Sequence, residues 1–251
     1  MNLQSTQNSG VRFAHQTICN SRCLKAVACE ILFRGYKEKT INDFLNEPHL
    51  FVSHLDDLVK GKALAIKSLY ETHDYTMFFV NFTPDQIASP DFINALRWFD
   101  DNGVHASSVV IEVTELRCKD EHDDIFLKNI ALLRRKGHLI ALDDFGSGYS
   151  NLARVLFLQP HIIKIDQSLL HLSSHSAEHK HTLHALVSFL HNIGTKCVVE
   201  GTEDEELLLI AQQSGADYLQ GYHLSRPTLI MCSPLLEPVQ LESQCHEPLA
   251  V

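Results

Sequence analysis

Eight short apolar or β-branched runs recur along the chain, near residues 11–19, 26–34, 77–81, 109–113, 139–143, 162–166, 196–200 and 217–221. Between the later runs, stretches such as 50–70, 123–135, 182–192 and 205–213 place apolar residues three or four apart, the period of an amphipathic helix. Strands that alternate with helices predict a parallel sheet covered by crossover helices, and eight such units close the sheet into a barrel. A chain of 251 residues suits one barrel of this kind. The link at 20–25 is too short for a crossover helix, so the first strand is expected to form an antiparallel hairpin with the second. The expected fold is α/β, a TIM-like (β/α)8 barrel with an antiparallel first strand. It would form one domain over 11–251, after a loosely ordered polar segment at 1–10.

Composition narrows the partners. Apolar residues make up 45% of the chain and charged residues 21%, as in ordinary globular proteins. A net charge of −10 opposes binding of a long nucleic-acid backbone but leaves room for a small phosphate ligand held by cations. No apolar run approaches the roughly 18 residues that span a bilayer, and residues 1–10 lack a basic-then-apolar leader. The seven cysteines show no CxxC pairing, as expected of thiols in a reducing compartment. Together these features predict a cytoplasmic protein with no membrane partner. The histidine-containing stretch 171–184 fits no tight ligand spacing and is read as a solvated helix start, because serines and Glu178 accompany the histidines.

Acidic residues recur at the C-terminal ends of the apolar runs, where a sheet interior would otherwise exclude them. Glu30, Glu112, Asp143, Asp144, Asp166 and Glu200 all occupy such positions. Barrel strands deliver these ends to one face, the face that carries active sites in barrels of this type. Carboxylates gathered there repel one another unless cations neutralise them, and oxygen-rich sites select hard ions such as Mg2+ or Mn2+. Two such ions can activate water and stabilise the leaving oxygen of a phosphodiester displacement. Each carboxylate taken singly is better read as a salt bridge or a helix cap, and it is their recurrence together that points to metal.

The same residues carry a family resemblance. Residues 29–34 read CEILFR, which resembles the ExLxR signature that names EAL domains. FVNF at 79–82, IEVTE at 111–115, DDFGSGYS at 143–150, KID at 164–166, EGTE at 200–203 and QGY at 220–222 follow in the family's order. DDFGSGYS is highly specific, whereas KID alone carries little weight. The resemblance implies a phosphodiesterase that hydrolyses cyclic di-GMP to linear pGpG with two Mg2+ or Mn2+ ions and is inhibited by Ca2+. It implies that Glu30, Asn81, Glu112 and Asp143 hold one ion, and that Asp143 bridges to a second held by Asp144 and Glu200. Lys164, Asp143 and Glu200 are then the catalytic set, with Lys164 touching the nucleophilic water.

Gln220 and Glu203 resemble residues that orient the groups around the metals. Arg34, four residues along the strand from Glu30, shares its side and could reach a substrate phosphate, while Gln16 resembles a residue near the guanine-binding part of the pocket. Glu115 resembles the glutamate that anchors the glycine-containing loop after Asp144, with Ser147 as its partner there. In relatives this loop and the adjoining helix shape a homodimer interface, so a homodimer is implied as well. Departures are mild: Ile31, Val199 and Thr202 stand where the family more often has alanine, alanine and valine, and Thr17 stands where it has proline. None removes an implied metal ligand. Two other readings remain open, a catalytically silent EAL-like module that senses cyclic di-GMP or binds a protein, and an unrelated metal-dependent barrel enzyme.

Overall fold

The computed structural model describes residues 10–114, 123–147 and 152–230. Within them lie strands β1 (Val11–Asn20), β2 (Ala26–Tyr36), β3 (Lys39–Thr40), β4 (Met77–Phe82), β5 (Val109–Val113), β6 (Leu139–Phe145), β7 (Ile162–Ile165), β8 (Lys196–Val199), β9 (Tyr218–Leu219) and β10 (Thr228–Leu229). Eight of them form a ring in the order β1-β9-β8-β7-β6-β5-β4-β2, and the β1–β2 pairing closes it. β1 runs antiparallel to both neighbours, whereas the pairs from β2 round to β9 are parallel. All eight expected strands are present, and the expected antiparallel hairpin opens the fold. The two-residue strands β3 and β10 lie outside the ring, paired to β2 and β1.

Side-chain alternation explains how the barrel interior is layered. Ile18, Ala28, Phe79, Val110, Ala141, Ile162 and Val198 pack together as an apolar plug inside the ring. Two residues further toward the functional rim on those same strands stand Gln16, Glu30, Asn81, Glu112, Asp143, Lys164 and Glu200. A polar layer therefore sits directly on an apolar one, by nothing more than the period of two. The intervening residues, among them Cys29, Ile31, Phe78, Val80, Ile111, Ile163 and Cys197, face outward into the core shared with the helices.

Helices follow the expected periods with two differences. The stretch expected as one helix over 50–70 is broken at His54 into His49–Ser53 and Leu55–Tyr70. His54 leaves helical geometry at φ −111° and ψ 21°, and its ring packs 4.8 Å from that of Tyr36 and 6.1 Å from that of Phe44. Tertiary packing thus overrides a continuous helical pattern. Helix Ala177–Asn192 begins five residues earlier than its apolar period suggests, because Ser176 caps it by accepting from the His179 amide. That cap agrees with the reading of the histidine-containing stretch as a helix start.

Candidate active site

The polar layer converges on one ammonium. Lys164, carried by β7 and only 2% exposed, places Nζ 2.6 Å from Glu112 Oε1 and 2.8 Å from Glu200 Oε1, and 3.2 Å from both Glu30 Oε2 and Asp143 Oδ1. The carboxylates come from β2, β5, β6 and the end of β8, so the barrel's closure, not any local motif, brings them together. Four carboxylates around one cation leave an excess of negative charge, and the ionisation of the group reflects it. For Lys164, burial alone would lower the ammonium's pKa, but Asp143, Glu112, Glu200 and Glu30 outweigh it and hold the pKa well above the ordinary lysine value. Burial, reinforced by the neighbouring Asp143, pushes Glu112 well above the carboxylate range. Burial likewise pushes Glu200 up to about 8. Asp143 goes the other way, since Lys164 and its hydrogen bonds overcome burial.

Asp144 reaches the same space by a local device. The β6–β7 register shifts between Leu142 and Phe145, and Asp144 adopts φ 50°, a left-handed conformation that aspartate tolerates better than most residues. Consecutive strand residues normally point to opposite faces, but this irregularity lets Asp143 and Asp144 share one. Asp143, Asp144 and Glu200 each offer a carboxylate oxygen within 4.8 Å of the others. Asn81 donates Nδ2 to Glu30 Oε1 at 2.7 Å and leaves Oδ1 buried with no hydrogen-bond partner. An all-oxygen donor set, clustered carboxylates and an orphaned amide oxygen suit a hard divalent cation.

Gln220 donates Nε2 to Glu30 Oε2 at 2.8 Å and to Gln16 Oε1 at 3.3 Å, and Gln16 in turn donates to the Ser225 carbonyl. Both glutamines line a cavity of about 420 Å3 together with Glu30, Asp143, Asp144 and Glu200. Glu203 also lines it but is half exposed, with His171 Nε2 at 3.8 Å, and makes no contact with the carboxylate cluster. Arg34 lies instead in an adjoining, more apolar cavity of about 260 Å3 that shares Asp143 with the first. Ser147 closes the turn after the tandem aspartates by donating its amide and hydroxyl to the Asp144 carbonyl. Glu115, the expected anchor of that loop, lies outside the described residues.

One buried group was not anticipated. Lys62, on helix Leu55–Tyr70, donates Nζ to the Asn81 carbonyl and lies over the Phe82 ring. Burial lowers it to about 7, against an opposing pull from Glu112. The signal was present: Lys62 stands between Val59 and Ile66 on the apolar face, where the helical period calls for a hydrophobic residue.

Comparison with known proteins places these observations. The family model described as EAL domain matches residues 2–227. The EAL-domain containing protein YkuI of Bacillus subtilis is 25% identical over 242 residues, covering 93% of this chain and 59% of YkuI. The probable cyclic di-GMP phosphodiesterase PdeG of Escherichia coli is 32% identical over 149 residues, covering 59% of this chain and 29% of PdeG. The chain thus spans less than two thirds of the length of these curated relatives. Among solved structures, the Klebsiella pneumoniae BlrP1 complex with calcium and cyclic di-GMP aligns with a TM-score of 0.75 at 27% identity, over 92% of this chain and 59% of that one. An EAL domain protein from Listeria monocytogenes aligns with a TM-score of 0.72 at 25% identity, over 91% of this chain and 95% of that one.

Proposed function

The chain belongs to the EAL domain family, and we propose that it is a metal-dependent phosphodiesterase that hydrolyses cyclic di-GMP to linear pGpG. The observation that carries this reading is the convergence of Glu30, Glu112, Asp143 and Glu200 on Lys164, with Asp144 turned onto the same face by the β6 irregularity. Glu30, Asn81, Glu112 and Asp143 would hold one Mg2+ or Mn2+, and Asp143, Asp144 and Glu200 a second. Bound there, the ions would supply the charge that activates water and stabilises the leaving oxygen of a phosphodiester displacement.

The chain's own groups do the remainder. Lys164 stands within reach of all four carboxylates, so it can orient a water or lend positive charge at the reacting phosphate. Gln220 fixes Glu30 and Gln16, and Asn81 fixes Glu30 from the other side, so the carboxylate is pinned from two directions. Glu203 stands at the rim, where it can reach solvent-borne groups. Arg34 offers a guanidinium to a phosphate in the adjoining cavity. A homodimer is part of the same reading, supported by Leu152, Leu156 and Phe157, which expose apolar surface on helix Leu152–Leu158. Among the described residues Cys19, Cys23, Cys29 and Cys197 are free thiols, which supports a reducing setting. No helix among the described residues is long and apolar enough to cross a membrane.

Ca2+ takes a larger and looser oxygen shell than Mg2+ or Mn2+, so substrate should bind in Ca2+ without turning over. The test is incubation with cyclic di-GMP in each ion, followed by chromatography for pGpG. Product in Mg2+ or Mn2+, with bound but intact dinucleotide in Ca2+, is expected. Binding without product in all three ions identifies a receptor instead of an enzyme, and equal turnover in Ca2+ and Mg2+ contradicts the metal assignment.

A further inference from the structure

A second group of metal-ligating side chains lies at the other end of the barrel. We propose that His191, Cys197 and Asp217 form a site for a borderline divalent ion such as Zn2+, distinct in place and chemistry from the carboxylate cluster. His191 is in the last turn of helix Ala177–Asn192, Cys197 is the second residue of β8, and Asp217 directly precedes β9. These are the N-terminal ends of the strands, whereas Glu200 and its neighbours stand at the C-terminal ends. One donor atom from each residue lies within 4.8 Å of the other two.

The three donors are held in place before any ion arrives. Asp217 Oδ2 accepts from the Cys197 amide at 2.9 Å, and the Asp217 amide donates to the Cys197 carbonyl. His191 Nε2 lies 2.9 Å from the same carboxylate oxygen. Cys197 is 0% exposed and forms no disulfide, and its sulfur lies within 4.8 Å of the donor atoms of His191 and Asp217. A helix C-terminus favours a positive charge beside it, which adds to the attraction. Nitrogen and sulfur donors with a single carboxylate select Zn2+ or Co2+ over Mg2+, the reverse of the all-oxygen site. Three protein ligands leave one position of a tetrahedral shell open, on the side where His191 and Asp217 reach solvent.

Coordination requires the thiolate. Burial, and then Asp217, hold the Cys197 thiol up to about 12, so binding an ion displaces that proton to solvent and tightens as pH rises. A bound ion would tie the end of helix Ala177–Asn192 to β8 and to the start of β9.

The test is titration of the full chain with Co2+ in excess Mg2+, which occupies the oxygen-rich site, while following the near-ultraviolet thiolate-to-cobalt charge-transfer band. One band-bearing ion per chain is expected, displaced by one equivalent of Zn2+. The band should vanish in Cys197→Ser, bind at least about tenfold more weakly in His191→Ala, and persist in Glu200→Gln. His191 is half exposed, so that variant keeps the core intact even if Cys197→Ser fails to fold. Absence of the band in the wild type, its survival in Cys197→Ser, or unchanged affinity in His191→Ala overturns the assignment.

Discussion

Lys164 is the counter-charge for four carboxylates that would otherwise face one another inside the barrel. Removing one partner of a buried ionic network leaves uncompensated charge, so Lys164→Met should destabilise the metal-free protein by about 3 kcal/mol in urea unfolding. Mg2+ or Mn2+ should recover part of that loss by neutralising the same carboxylates, while hydrolysis stays abolished. Unchanged stability in chelator would show that the ammonium is not what compensates the cluster. Glu200 gives the pH dependence. Its folded pKa of about 8 lies above the ordinary carboxylate value, so between those two pH values the native state holds a proton that the unfolded chain has released. Its contribution therefore lowers stability as pH rises from about 5 to 8 in metal-free protein, and Glu200→Gln should flatten that slope. The same slope in wild type and variant refutes the linkage. At this scale the sequence was informative where residue type clashed with surroundings: acids closing apolar strands pointed to Glu30, Glu112, Asp143 and Glu200. Its signal for Lys62 is weaker, because a lysine on an amphipathic helix is read as solvated until the apolar neighbours Val59 and Ile66 on the same face are weighed.

The irregularity at the end of β6 and the close approach of strand ends are features of elements. Gly221, just past β9, lies so near Thr202 in the segment after β8 that an added Cβ would stand 2.3 Å from both the Thr202 backbone nitrogen and oxygen. Neither neighbour is a flexible side chain, so Gly221→Ala must part the two chain segments that carry Gln220 and Glu200. A displacement on the order of 1 Å costs about a hundredfold in rate, and turnover should fall by that much with the circular dichroism still native. Wild-type turnover in Gly221→Ala would mean that the rim tolerates movement and that its geometry is not tightly held. Elements were legible where one period persisted: β5 and helix Glu205–Gln213 occur where the pattern puts them. Short elements were missed although their signals exist. Thr40 with Asp43 and Thr83 with Gln86 form capping boxes that open helices Ile41–Asn46 and Pro84–Ile87. The break at His54 has no local signal, since it follows from ring packing against Tyr36 and Phe44, which are distant in sequence or lie on another element.

At the scale of the whole molecule, closure of the ring turns eight separate strand ends into one site. The barrel was legible because an alternating βα pattern admits few topologies, and the antiparallel β1 followed from a link too short for a helix. The sequence did not reveal that the polar layer divides between two cavities sharing Asp143, with Arg34 in one and Gln16 and Gln220 in the other. That division depends on strand tilt and on side-chain direction, which one-dimensional spacing does not carry. Such a ring of carboxylates is suited to divalent-metal hydrolysis of a phosphodiester. The most direct measurement compares cyclic di-GMP turnover in saturating Mn2+ for the wild type, Glu30→Ala, Asp143→Asn and Glu200→Ala, with circular dichroism run on each. The wild type should yield pGpG and all three variants should lose turnover almost completely with native spectra throughout; wild-type turnover in any one folded variant would rule out its carboxylate as a metal ligand.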